Sequence, residues 1–191
     1  FKKARPAAAR TKQYLEKEIQ AAHKAVVKLG EGRIFEEQPR TTITLCTIAN
    51  GNARWAHVGD SRVYVFRNGE LLARTRDHSA VEEMYRKGLI TEADMHTHPL
   101  RNYVEHCLGG EARQPDMAIS ERHTLQPGDI VLLSSDGFWA PLDITALGQA
   151  LHSTDDLQAA LEDIAEQAEN ATKPFSDNVT AVAFRWLEEE E

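Results

Sequence analysis

Asp60, Asp136 and Asp177 each stand where an apolar run meets a turn. Asp60 follows Val58-Gly59 and precedes Ser61-Arg62. Asp136 ends the run Ile130-Val131-Leu132-Leu133-Ser134-Ser135 and precedes Gly137. Asp177 precedes Asn178 and the run Val179 to Phe184. Carboxylates at the mouths of buried strands can converge at one sheet edge, where they repel one another unless a cation lies between them. Hard divalent cations with oxygen ligands answer that need. Taken singly, each residue also has a plainer reading. Asp-Gly is a good turn pair, Asp177-Asn178 suits a strand start, and Asp60 suits a corner whose Arg62 pairs with a nearby carboxylate. Against the plain reading of Asp136, its strand turns polar at the end, where a site would need it.

The elements that must position these residues can be read from periodicity. Residues 11–29 carry Leu15, Ile19, Ala22, Val26 and Leu29 at helical spacing, with Gly30 and Gly32 beyond. The Ala-rich basic segment 1–10 extends that helix past Pro6. Thr41 to Ala49 is β-branched, Asn50-Gly51-Asn52 is a hairpin signal, and Arg54 to Val58 pairs back. Gly59-Asp60-Ser61 makes a corner into Arg62 to Phe66, and Asn68-Gly69 turns into Leu71 to Thr75, which together read as an antiparallel meander. Ser79 with Glu82, and Thr91 with Asp94, open short helices. His96-Thr97-His98-Pro99 reads as a loop and 102–108 as a short helix or strand. Strands follow at Met117 to His123 and 130–135, then helices at about 143–151 and 155–170, and a last strand over 178–186. Val63 and Val65 face one way and Tyr64 and Phe66 the other, so this strand is apolar on both faces, as is 130–133. Antiparallel strands with one wet face would alternate. The expectation is therefore an α+β fold: a four-layer α-β-β-α sandwich of two antiparallel sheets flanked by helices.

The 191 residues suffice for one domain with a substantial core. A net charge of −8 argues against nucleic acid as a partner. Two cysteines, Cys46 and Cys107, suggest no disulfide framework and point to a reducing cytoplasm. Cys46 reads as a buried small hydrophobe. No apolar stretch approaches the ~20 residues of a membrane span.

In this order and with these neighbours, the acids carry a resemblance. The stretches are Thr41-Thr42, Ala56 to Tyr64 around Gly59-Asp60-Ser61-Arg62, Thr75-Arg76-Asp77-His78-Ser79, Gly88-Leu89-Ile90-Thr91, His98-Pro99-Leu100-Arg101-Asn102, Leu108-Gly109, Leu125 to Asp129, Ser135-Asp136-Gly137 and Asp177-Asn178-Val179-Thr180. With them the chain resembles the bacterial metal-dependent serine/threonine protein phosphatases of the PPM type, also called protein phosphatase 2C. The resemblance implies the α-β-β-α sandwich and hydrolysis of phosphoserine and phosphothreonine in proteins by a water that two metals activate. It implies that Asp136 and Asp177 bind one of two catalytic Mn²⁺ or Mg²⁺ ions. Asp60, helped by Asp136, would bind a third, weaker one. It makes residues 79–108 a mobile flap beside the site and implies a cytoplasmic, monomeric signalling enzyme. Its partners would be phosphorylated proteins made by serine/threonine kinases, with no nucleic acid and no membrane. No Gly-x-Ser-x-Gly elbow and no Cys with an arginine loop offers a covalent alternative.

The sequence departs from that family in lacking the early Asp-Gly-x-Gly-Gly motif, whose Asp joins both metals, together with an upstream acidic residue and a phosphate-binding Arg. The chain begins at Phe1, so the expectation is one phosphatase domain over 1–191 whose N-terminal strands are missing, ending in an acidic tail at 187–191. Such a chain by itself should be nearly inactive. The alternative is a catalytically deficient scaffold or regulatory binding module of the same type. Arg40 is a smaller departure, standing where the family usually has Gly. His96 and His98 lack further ligands for a zinc site. His57 reads as a strand residue beside the site, and Phe138-Trp139 as core or flap-facing aromatics, or else as partner-docking ones.

Overall fold

The computed structural model describes residues 10–110 and 114–187, apart from the side chain of His96. The proposed extension of the first helix over 1–9 and the tail at 188–191 lie outside the described residues. The chain runs α1 (Thr11–Leu29), a 3₁₀ turn (Phe35–Glu37), β1 (Arg40–Thr41), β2 (Ile43–Ala49), β3 (Asn52–Val58), β4 (Arg62–Arg67), β5 (Glu70–Arg74), α2 (Ala80–Arg86) and α3 (Glu92–Thr97). It continues through β6 (Leu108–Gly109), β7 (Ala118–Ile119), β8 (His123–Thr124), β9 (Ile130–Ser134), α4 (Asp136–Trp139), α5 (Ile144–His152), α6 (Leu157–Thr172) and β10 (Ala181–Arg185). It forms two compact units, one from residues up to Asp60 plus Arg76–His123, the other from Ser61–Thr75 plus Thr124 onward.

In the first unit β2 and β3 form a hairpin in which Ala49 faces Asn52. Its Asn50-Gly51 turn has φ of 51° and 66°, the primed geometry that matches strand twist. β7 adds to β3 through Ala56↔Ile119 and His57↔Ala118, β8 also pairs β3, and β1 pairs β6. The apolar stripe of α1 buries Leu15 and Ile19 completely with Ala56, Val58 and Leu108. Ser79 and Thr91 cap α2 and α3, and Thr91 with Asp94 makes a full capping box. Cys46 is half-buried rather than fully buried, and that burial pushes its thiol up to about 12.

The second unit holds a four-stranded antiparallel sheet of order β10-β9-β4-β5. Tyr64, Phe66, Ile130, Leu132, Phe138, Leu147, Leu151 and Ile164 form its core. The opposite face of β4 is equally dry, with Val63 and Val65 at 0 % exposure, as its double apolar pattern required. Arg67 makes two 2.8 Å bonds to Asp129, which caps the Gln126-to-Asp129 turn by accepting the Gln126 N–H.

Helices and antiparallel sheets make the class α+β, as expected. The meander reading fails in one respect: β2–β3 and β4–β5 belong to different sheets, and the chain changes sheet at Gly59-Asp60-Ser61. Val63 to Phe66 pair instead with Leu133 to Ile130, residues more than sixty positions away. Elsewhere α3 extends through Thr97 into the expected loop, segment 102–108 gives only a bridge from Val104 to Ser79 and the start of β6, and the last strand starts at Ala181.

Candidate metal centre

The second unit brings Asp136 and Asp177 together. Ser135 joins the end of β9 to the segment entering β10: its N–H donates to Thr180 O at 3.0 Å, its hydroxyl donates to Asn178 O at 3.1 Å, and it accepts the Thr180 N–H at 3.1 Å. The Asp-Gly pair is not a turn, as its sequence suggested, but the first turn of α4. Gly137 is needed there for space. A Cβ on it would lie 2.6 Å from Asn178 O and 3.3 Å from the Asp177 carbonyl carbon. Backbone thus rests on backbone, with one aspartate on each strand of the contact. Asp136 Oδ1 accepts its neighbour's N–H from Gly137 at 2.9 Å, and Asp177 Oδ1 accepts from Asn178 at 2.7 Å. Asp136 is half-buried and Asp177 exposed, as suits ligands reachable from solvent.

The same strand end carries a cation. Arg62 pairs with Ser134 across β4 and β9, and its guanidinium lies 3.2 Å above the Trp139 ring, three residues beyond Asp136. Phe138 is fully buried in the core. The two aromatics after the Asp-Gly pair therefore divide into a core anchor and a platform for Arg62, the core reading the sequence favoured.

Asp60 ends the first segment of the first unit, half-buried. Gly59 before it has φ of 105°, and a Cβ there would overlap the Thr42 side chain, so Thr41-Thr42 and Gly59 form one packed corner. His78 brackets that corner, donating its backbone N–H to Gly59 O at 3.0 Å and accepting the Gly59 N–H on Nδ1 at 3.4 Å. His57, buried, donates from Nε2 to Arg76 O at 2.7 Å. The His57 and His78 rings lie 4.7 Å apart, and His106 meets His78 edge-on at 5.2 Å. Burial, then the neighbouring His57 and His106, pull His78 down to about 4 against the opposing pull of Asp116 and Asp77. Burial also lowers His57. This histidine group escaped sequence reasoning, because its members come from positions 57, 78 and 106; only the Asp77-His78-Ser79 motif hinted at one of them. His98 turns its Nδ1 to the Leu100 N–H at 3.1 Å, a local turn contact, while the His96 side chain lies outside the description.

Carboxylate oxygens are the right donors for a hard divalent ion, so the Asp136–Asp177 pair fits part of a ligand set. Among the described residues no group of three or more His, Cys, Asp or Glu could hold a metal ion. By itself the pair does not make a closed cage.

No family model matches the chain. The protein phosphatase PhpP of Streptococcus pneumoniae is 30 % identical over 178 residues, covering 93 % of this chain and 68 % of PhpP. The chain belongs to the protein phosphatase 2C (PPM) family. The serine/threonine protein phosphatase PstP of Mycobacterium tuberculosis is 31 % identical over 168 residues, 88 % of this chain and 32 % of PstP. A crystal structure of PstP superposes with a TM-score of 0.81 at 28 % identity, over 95 % of this chain and 74 % of that one. The PstP catalytic domain solved in complex with two manganese ions gives 0.71 at 27 % identity, over 91 % and 72 %. The PPM chain described here spans 50 % of a streptococcal protein phosphatase 2C-type relative, and only about a third of PstP.

Proposed function

We propose that this PPM chain serves the hydrolysis of phosphoserine and phosphothreonine esters in proteins with Mn²⁺ or Mg²⁺, Asp136 and Asp177 being metal ligands. The observation that supports the reading is the close backbone contact of Gly137 with Asn178, which brings the chain at Asp136 next to the chain at Asp177. Bound divalent ions would supply Lewis-acid chemistry and an activated water. The chain's own residues hold and orient. Asp136 and Asp177 provide hard oxygen donors, Ser135 pins the two strand ends, and Arg62 stacks on Trp139 beside them.

Asp60 is the ligand of an accessory ion in this reading, supported by its placement in the Gly59–Thr42 corner. Residues 79–108 act as the flap that meets the phosphoprotein. Tyr85, Leu89, Leu100 and Tyr103 are exposed there, apolar groups available to a peptide. The same reading makes 1–191 part of one phosphatase domain and the protein a monomer of bacterial signalling. The free thiols Cys46 and Cys107 support a reducing cytoplasm.

The test is hydrolysis of p-nitrophenyl phosphate by the full-length protein. Mn²⁺ should raise turnover, and Asp136→Asn should lower it by at least a hundredfold while the protein stays folded by circular dichroism. Undiminished turnover in that variant would sink the assignment.

A further inference from the structure

A cavity of about 740 Å³ opens in the first unit, lined among others by His23 of α1, Phe35, Arg40 of β1, and Gly109 and Gly110 at β6. That volume suits a small ligand. His23 is only 5 % exposed. Its Nδ1 accepts the Gly109 N–H at 3.2 Å, so the proton of the neutral ring sits on Nε2. Nε2 is buried and has no hydrogen-bond partner among the described residues. A buried donor left unpaired is costly, and an acceptor within the cavity relieves that cost.

Arg40 lines the same space. Its guanidinium stacks on Phe35 at 4.4 Å and donates to Phe35 O at 3.3 Å. A Cβ at Gly110 would stand 3.0 Å from Arg40 Nε, and one at Gly109 would overlap Pro39 O; both glycines have positive φ. The wall is therefore built around this arginine. The acidic lining groups sit at the rim: Glu105 is exposed, and Asp116, 79 % exposed, lies 3.8 Å from His106 Nε2. A buried imidazole N–H and an arginine on one wall favour a compact anion, and the exposed carboxylates repel a long polyanion.

We infer that this cavity is a binding site for a small anionic ligand, an organic phosphate or carboxylate, held by the Arg40 guanidinium and the His23 Nε2–H. The site stands independently of the phosphatase reading. It can be tested on the full-length protein in EDTA, titrated with inorganic phosphate in one arm and citrate in the other. Calorimetry and the ¹⁵N-histidine spectrum report binding. At least one anion should bind saturably and move the His23 Nε2–H signal, and the arm that responds identifies the chemistry. Arg40→Gln should weaken binding about tenfold or more, with Arg40→Lys recovering part of it and Asp136→Asn leaving it unchanged. His23→Asn keeps an acceptor for Gly109 but deletes the donor and should weaken binding too. If that buried variant misfolds, the exposed Arg40 decides. Binding of neither anion overturns the inference. So does binding that survives Arg40→Gln, or binding lost in Asp136→Asn instead, which would put the anion at the carboxylate pair.

Discussion

The second unit holds its acids among backbone contacts and large apolar side chains, whereas in the first unit the Gly59 corner before Asp60 is bracketed by a histidine. Around Asp136 and Asp177 the neighbours are Ser135 hydrogen bonds, the Gly137–Asn178 contact and a core containing Tyr64, Phe66 and Phe138. Around Asp60 they are Thr42 and the His78 bracket, in a unit whose core is made of Leu15, Ile19, Ala56, Val58 and Leu108. That unit also buries His23, His57, Asp77 and Glu82. Packed backbone does not titrate, but imidazoles do. The backbone contact at Gly137 should thus be indifferent to pH, while protonation of His78 removes the acceptor that its Nδ1 offers the Gly59 N–H.

Arg67 is where the second unit is most vulnerable. Asp129 is 1 % exposed and relies on Arg67 at 2.8 Å, so Arg67→Ala strands a buried carboxylate. The expected cost is about 3–5 kcal/mol in urea unfolding, and a loss under ~1 kcal/mol would show the second unit to be less tightly built than described. Gly137→Ala comes next. Its Cβ would press on Asn178 O at 2.6 Å, and backbone must shift. About 1–3 kcal/mol of stability should go, together with much of the Mn²⁺ affinity; unchanged affinity would mean that the contact does not set the pair.

The comparison sharpens with pH. His78 has a folded-state value of about 4 against an ordinary 6.5, so between those values the unfolded chain binds more protons than the folded one. Stability therefore falls as pH drops from about 6.5 to about 4 and is complete above that window. The contribution is roughly 1–3 kcal/mol. His78→Asn should flatten this slope in thermal melts, and an unaltered slope would assign the acid sensitivity elsewhere.

Local chemistry was legible in the sequence; sheet membership was not. Asn50-Gly51 and Asn68-Gly69 fixed two hairpins because their left-handed backbone is a property of the turn itself, φ 51° and 66° in one and 52° and 79° in the other. The stripe Leu15, Ile19, Ala22, Val26 placed α1 to the residue. By contrast, β3 and β4 read as neighbours because they are consecutive, yet β4 finds its partner at β9, a pairing set by apolar faces formed far along the chain. That the chain at Asp136 passes close to the chain at Asp177 was readable because each lies just beyond one of two strands that pair, Ala181 facing Ser134. The start of α4 at Asp136 was not, since Asp-Gly serves a turn and a helix start equally well. The histidine group and the Arg40 cavity depend on distant residues meeting, and no spacing announces such encounters.

Asp136 and Asp177 are proposed to bind a divalent metal together. The most direct measurement is a Mn²⁺ titration of the full-length protein by electron paramagnetic resonance, with Asp136→Asn and Asp177→Asn alongside. Saturable binding in the unaltered protein, weakened at least tenfold by either substitution, is the predicted result. Equal Mn²⁺ binding in all three proteins would contradict it.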